Sequence, residues 1–272
     1  MKPFLKWAGG KHRLLDEIIP ELPAGERLVE PFTGSAAVFM GTGYNSYLLA
    51  DSNSDLINLY KCLAAEAGSF IAAAAEFFSA ESNTPGFYYN IREQFNRTPL
   101  GPEKALYFLY LNRHAYNGLC RYNSKGIFNT PFGSYKRPYF PEVEMRNFVA
   151  KYRRADVEFV CYPFETTFKM LRKGDVVYCD PPYWPLSCTA SFTRYSAGDF
   201  KEKDHSSLAE LAYNTSRANI PVFISNHDMP HTRSLYRKAK RKTFPASRMI
   251  SCKGSGRKKV MELLACYRAE NH

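Results

Sequence analysis

Long apolar runs are missing from this chain of 272 residues. No segment approaches the roughly 18 uncharged residues a membrane helix needs, and no charged-then-apolar leader opens the sequence, so neither spanning nor export is expected. Cysteine is sparse and unpatterned. Cys62, Cys120, Cys161, Cys179, Cys188, Cys252 and Cys266 are odd in number and form no C-x-x-C, which argues against a disulfide frame or zinc cluster and fits a reducing cytosol. The six histidines and the acids fall into no ligand-spaced group, so no metal is expected. The phosphate-loop pattern G-x-x-x-x-G-K-[ST] is absent, and so is the fuller G-x-G-x-x-G that NAD prefers. One absence is local: residues 233–259 contain eleven Lys/Arg and no acid.

That tract belongs to a net charge of +11, and residues 101–154 add ten Lys/Arg against three Asp/Glu. Two basic territories on a mildly acidic remainder favour a polyanion that touches particular faces, although a solvated, basic-biased surface would account for charge alone. The tract 237–259 reads as a hairpin or loop facing phosphates, a contribution independent of base sequence. Composition is otherwise that of a globular protein, 45% hydrophobic and 15% aromatic. The length suits one large domain or a domain with an insertion.

Short apolar segments that end on polar or proline residues recur along the chain: RLVEPF (27–32), YLLAD (47–51), DVEFVCYPF (156–164), DVVYCDPPY (175–183) and IPVFISNHD (220–228), with KKVMELLACYR (258–268) as a last strand. Helical stretches such as 56–78 and 201–218 lie between them; Leu208, Leu211 and Ala212 have amphipathic spacing. The alternation predicts an α/β domain with a mostly parallel sheet. Residues 56–144 break the rhythm and read as an inserted subdomain, leaving 1–55 and 145–272 as the catalytic domain.

In VEPFTGSAAVF (29–39) a strand turns at Gly34 into a helix of small residues, and Asp51 follows Glu30 by 21 positions at the end of the next strand. A turn open to a ligand and an acid placed for ribose hydroxyls point to a nucleoside-containing cofactor. Upstream, FLKWAGGK (4–11) sets Lys11 after two glycines, a cation suited to an anionic group such as a carboxylate. Trp7 has a face for a ligand or for a cation.

Asp180-Pro181-Pro182-Tyr183 is the strongest signal, because proline cannot extend a central ladder and something other than the sheet must use these residues. An adenine amino group is a poor nucleophile, its lone pair delocalised into the ring. Asp180 and the Pro181 carbonyl are two acceptors for that amine, and Tyr183 is a face for a flat base. Positioning and electrostatics would then carry a methyl transfer without metal or covalent intermediate. A base in a duplex reaches such a pocket only when flipped out, at a cost of roughly a few kcal/mol. Tyr116 is placed to fill the vacated stack, and Arg121 to bind guanine O6/N7, worth about 1–3 kcal/mol of discrimination.

Taken in order, FLKWAGGK, VEPFTGSAAVF, LLADSN, YLNRHAYNGLCRYN, PFGSYKRPYFP, DPPY and ISNHD resemble the Dam family of DNA adenine-N6 methyltransferases, which modify GATC. The likeness runs from Phe4 to about Tyr267. DPPY is shared with other amino-methyltransferases; NGLCRYN is much narrower. The resemblance implies a Rossmann-like, S-adenosylmethionine-dependent methyltransferase sheet with an inserted helical DNA-recognition subdomain. It implies S-adenosylmethionine held by Trp7, Lys11, Asp51 and Asp180, with Glu30 and Phe32 of the VEPF turn beside them, and a flipped adenine gripped by Asp180 to Tyr183. Tyr116 and Asn117 match positions that intrude at the flipped pair. Lys6, Leu119, Arg121, Pro131 and Tyr135 match positions that touch flanking bases. It further implies double-stranded DNA as partner, in the cytoplasm of a bacterial or phage-infected cell, with no obligatory protein partner. Ala36 and Ser134 depart from the family, where relatives carry a second glycine and a basic residue.

Cytosine-N4 enzymes more often show Ser at position 180 and protein-glutamine methyltransferases typically Asn, so Asp180 and the basic insert disfavour both. A DNA-binding module that had lost catalysis would not need Trp7, Lys11, Asp51 and DPPY together. His227 reads as a structural hydrogen-bonder.

Overall fold

The structure is a computed structural model that describes residues 1–184, 200–246 and 260–268. In chain order its elements are α1 (Leu15–Ile18), β1 (Arg27–Glu30), α2 (Ala37–Gly41), β2 (Ser46–Ala50), α3 (Ser54–Ala65), α4 (Ala67–Glu76), α5 (Pro85–Arg97), α6 (Pro102–His114), α7 (Glu142–Tyr152), β3 (Asp156–Val160), α8 (Phe164–Lys169), β4 (Asp175–Cys179), α9 (Glu202–Arg217), β5 (Val222–His227), α10 (Pro230–Leu235), β6 (Lys240–Ala246) and β7 (Val260–Tyr267). Among the described residues the strands form one sheet in the order β3-β2-β1-β4-β5-β7-β6. Pairing is parallel from β3 through β5, and β7 runs antiparallel to both β5 and β6. This is the expected α/β, Rossmann-like sheet.

Strands covered on both faces favour apolar residues, and β1 and β4 are buried throughout, with charged residues only at their ends. Successive side chains serve opposite faces. Leu28, Val176 and Tyr178 join the layer that contains Tyr60 of α3 and Phe148 of α7. Val29, Val177 and Cys179 join Phe164, Phe168, Leu208 and Ala212 from α8 and α9. The first layer is rich in rings: Tyr60 stacks on Phe148 at 5.1 Å and on Phe159 at 5.6 Å. Among the described residues no helix is long and apolar enough to cross a membrane.

From β1 the chain moves outward one way through β2 to β3, and β4 and β5 are laid down on the other side. The crevice between the carboxyl ends of β1 and β4 is therefore the switch point at which open α/β sheets take ligands. At the opposite end of the same two strands, Arg27 holds Asp175 through Nε at 2.9 Å and Nη2 at 2.8 Å, both side chains buried.

Two local features differ from expectation. The helical stretch 56–78 is two helices, because Glu66 leaves helical geometry at φ −130°, ψ 54°. The break turns Phe70, Ile71 and Ala74 of α4 into the same core as Leu59 and Tyr60. In the basic tract, residues 240–246 form the edge strand β6, with Lys240, Arg241, Lys242 and Pro245 on it. Charge and proline on an edge strand deter pairing with another chain. The remainder of that tract, 247–259, lies outside the described residues, as do Cys188 and Cys252.

Candidate active site

Four of the parallel strands stop at or just before a polar residue. β1 ends at Glu30 and runs into Pro31-Phe32, β2 ends before Asp51, β4 ends before Asp180, and β5 ends at His227. Register puts Glu30 beside Leu49 and Val29 beside Val177, so these ends share one rim of the sheet.

The turn after β1 is built for close approach. Gly34 has φ +46°, and a Cβ there would lie 2.7 Å from Trp7 Nε1, so glycine is what lets the indole pack on the turn. Asp51 ties the turn to β2: its Oδ2 accepts from Gly34 N at 3.0 Å and its Oδ1 from Asn53 N at 3.0 Å. Tyr60 braces the turn from below, donating to Gly34 O at 2.6 Å. Burial pushes the Asp51 carboxyl up, opposed by those N–H groups. Ala36 stands in the left-handed region at φ 57° as the residue before α2. A Cβ in this conformation costs roughly 1–2 kcal/mol. Phe32 stacks on Phe164 at 5.6 Å and 27°.

Glu30 is 2% exposed, and its Oε1 has no hydrogen-bond partner among the described residues. Burial pushes its carboxyl up to about 8, with the Phe39 N–H and Lys151 opposing and Asp180 adding to the rise. A buried acceptor without a donor is costly unless a ligand supplies one. These groups suit S-adenosylmethionine: Asp51 retains lone pairs for ribose hydroxyls, Phe32 offers a ring face, and Glu30 has an unmet acceptor.

At the end of β4, Asp180 pairs with Lys11, Oδ1 to Nζ at 2.7 Å; the lysine is 3% exposed and the aspartate 21%. Burial raises the Asp180 carboxyl to about 6, against the opposing pull of Lys11, and Glu262 adds to the rise. It is thus a carboxylate at neutral pH. Pro181 is buried and Pro182 exposed. Lys11 Nζ also lies 4.4 Å from the centre of the Tyr183 ring, and that ring's hydroxyl donates to Glu262 Oε2 at 2.8 Å. His227 meets the ring edge-on at 4.6 Å and 85°. Asn226, fully buried, accepts from Trp184 N at 3.1 Å and His227 N at 2.9 Å and receives no solvent. Sequence reasoning assigned no role to Glu262 or Asn226. The available signals were the sole acid of KKVMELLACYR and the polar tail of ISNHD.

The residues expected at DNA form a second cluster. Tyr116 and Asn117 are exposed on the short turn after α6, Asn117 at φ 53°. A Cβ on Gly118 would fall 2.4 Å from Lys6 Cβ, so glycine lets the N-terminal strap lie against this turn. Lys6 Nζ donates to Arg113 O at 3.1 Å and sits 3.7 Å above the Tyr135 ring. Burial, then Arg113, lowers the Lys6 ammonium to about 8. Pro131 O accepts from Tyr116 N at 2.9 Å, and Leu119 O accepts from Thr130 Oγ1 at 3.0 Å. Arg121 Nε and Nη2 donate to the Asn129 side chain and carbonyl at 2.7 and 3.0 Å, so its guanidinium is engaged within the hairpin in this state.

Much of the positive charge has partners inside the chain. Arg113 is buried, donating to Tyr139 O and Phe4 O. Arg233 makes a two-bond pair with Asp228, and Lys242 pairs with Glu17 and Glu21. Lys125, Lys136 and Arg137 of the insert are exposed. Charge counting alone therefore overstated the tract that includes β6.

The profile of the D12 class of N6 adenine-specific DNA methyltransferases matches residues 7–250. The DNA adenine methylase of Serratia marcescens is 51% identical over 268 residues, covering 98% of each chain. That of Vibrio cholerae is 49% identical over 98% of this chain and 96% of its own, and that of Escherichia coli K12 48% over 98% and 95%. With Asp180-Pro181-Pro182-Tyr183 at the switch point and likeness along almost its whole length, this chain belongs to the D12 class of N6 adenine-specific DNA methyltransferases.

Proposed function

We propose that this DNA adenine methyltransferase takes its methyl group from S-adenosylmethionine and transfers it to N6 of an adenine flipped out of double-stranded GATC. The observation that carries the reading is the convergence of Asp180, Lys11 and Tyr183 at the β1/β4 switch point, with Asp180 paired to the Lys11 ammonium. Trp7, Lys11, Glu30, Phe32 and Asp51 would hold the cofactor, which supplies an electrophilic methyl group when bound. In this reading residues 1–55 and 145–272 form the catalytic domain and 56–144 the target-recognition insert.

The chain's own groups then do the following. Asp180 and the Pro181 carbonyl accept the two amino hydrogens of adenine, which localises the nitrogen lone pair. Tyr183 supports the base by stacking, and the carboxylate of Asp180 stabilises the positive charge that develops on N6. Tyr116 and Asn117 occupy the space the base leaves. Lys6, Leu119, Arg121, Pro131 and Tyr135 read the flanking pairs, which requires Arg121 to exchange Asn129 for a guanine edge. GATC itself rests on the NGLCRYN hairpin and its resemblance to the Dam family.

The test is methyl transfer from labelled S-adenosylmethionine to duplexes containing GATC, its single-base variants, and GATC with adenine already methylated. Incorporation confined to unmethylated GATC and abolished in Asp180→Ala supports every part of the reading. Incorporation spread over other adenines retains the chemistry and removes the GATC assignment.

A further inference from the structure

Tyr183 is restrained by a side chain from the last strand, 79 residues away in sequence. β7 pairs antiparallel with β5 so that Glu262 stands opposite His227. The carboxylate of Glu262 accepts the hydroxyl hydrogen of Tyr183 at 2.8 Å, and the His227 ring packs perpendicular to the same ring at 4.6 Å. The phenol oxygen lies on the ring's long axis, so this bond fixes where the ring sits and where its axis points, and the perpendicular His227 ring packs beside it. Lys11 Nζ lies 4.4 Å from the centre of the ring so held. Stacking is worth about 1–3 kcal/mol per base only when the two planes meet. We propose that Glu262 is a positioning residue for base capture, holding the Tyr183 ring at the place where the target adenine stacks on it.

The inference rests on the reading of Tyr183 as the adenine's stacking partner. The role proposed for Glu262 is through the phenol and not on N6, since its Oε2 is taken up by the Tyr183 hydroxyl. That phenol keeps its proton: burial, then Asp180 and Glu262, push it well above the ordinary tyrosine range. Glu262→Gln keeps an acceptor for the hydroxyl and removes the charge, whereas Glu262→Ala removes both.

The experiment uses the full chain with a GATC duplex, single-turnover methylation, and 2-aminopurine in place of the target adenine to report base capture by fluorescence. Glu262→Ala is expected to slow methylation about tenfold, the effect of one hydrogen bond to a charged acceptor, and to alter the 2-aminopurine signal at saturating enzyme. Cofactor affinity and melting midpoint should stay near wild type, and Glu262→Gln should recover most of the rate. In a Tyr183→Phe background, Glu262→Ala should have little further effect, because the two residues act through one bond. A full additional loss in that background overturns the proposal, as does a Gln variant as slow as Ala. A slow Tyr183→Ala enzyme beside a wild-type Glu262→Ala enzyme overturns the role of Glu262 alone. A wild-type rate in Tyr183→Ala overturns the stacking assignment as well.

Discussion

Asp180 needs its charge to accept from an amine, and burial has moved its titration to about 6. The methylation rate at saturating substrates should fall as pH drops through that value, in a profile measured between pH 5 and 8. Removing the Lys11 charge should move the midpoint upward, because Lys11 is what opposes the rise; Lys11→Met in the same assay, read for midpoint and not for height, checks this. Gly34→Ala makes a sharper demand. Its Cβ would sit 2.7 Å from the Trp7 indole, and either the ring or the turn must move. We expect at least about tenfold weaker binding of S-adenosylmethionine, some 1.4 kcal/mol, by titration calorimetry, with duplex affinity changed far less. Asp51 and Asp180 were legible in the sequence because each sits where an apolar strand breaks off on a polar residue, and Lys11 and Gly34 because glycines mark their turns. Glu262 was not legible: a single acid in a late strand carries no sign that β7 turns back beside β5, and only that antiparallel pairing brings it to Tyr183.

Among the elements, the hairpin that carries Arg121 is tied to the start of α3 by a phenol. Tyr122 lies between Arg121 and the Asn123 turn, and its hydroxyl donates to Asp55 Oδ2 at 2.7 Å. Asp55 in turn opens α3, whose first N–H groups are capped by Asn53, and Asn53 itself donates to Asp51. Tyr122→Phe removes a hydrogen bond to a buried charged group, worth about 1.5–3 kcal/mol, and should lower the thermal midpoint. It should also speed amide exchange at Asn129, whose N–H is bonded to Arg121 O. Unchanged exchange there would show that the hairpin is held by its own turn. The sequence revealed this region as aromatic, basic and irregular without revealing the tie, because Tyr122 and Asp55 are separated by 67 positions. It also concealed β6, whose three consecutive cations and Pro245 look like a loop. The neighbouring β7 supplies a full ladder of partners that propensity alone cannot anticipate.

At the scale of the molecule, two buried groups govern stability in different ways. Arg27 and Asp175 clamp β1 to β4 at the end remote from the site. Asp175→Ala leaves a buried guanidinium without its partner and should cost about 3–5 kcal/mol by denaturant unfolding, before any effect on chemistry. Glu30 acts through protons. Its carboxyl titrates near 8 in the fold against an ordinary 4.5, so between those values the folded state holds a proton that the unfolded state has released. Its contribution therefore falls as pH rises from about 4.5 to about 8 and is constant outside that window. Glu30→Gln should flatten that part of a stability–pH curve. The alternation of strands with helices made the sheet legible, whereas the clamp and the shared aromatic layer depend on packing between distant segments. One last consequence belongs to the strap that begins at Phe4. Lys6 lies against the turn at Gly118 and Trp7 against Gly34, so in the proposed reading neighbouring residues answer to two different ligands. Whatever one ligand does to the strap is felt by the other, and reciprocity makes the factor identical in both directions. Cofactor affinity measured with and without duplex, and duplex affinity with and without cofactor, give that factor twice; a value of one would mean that the strap transmits nothing.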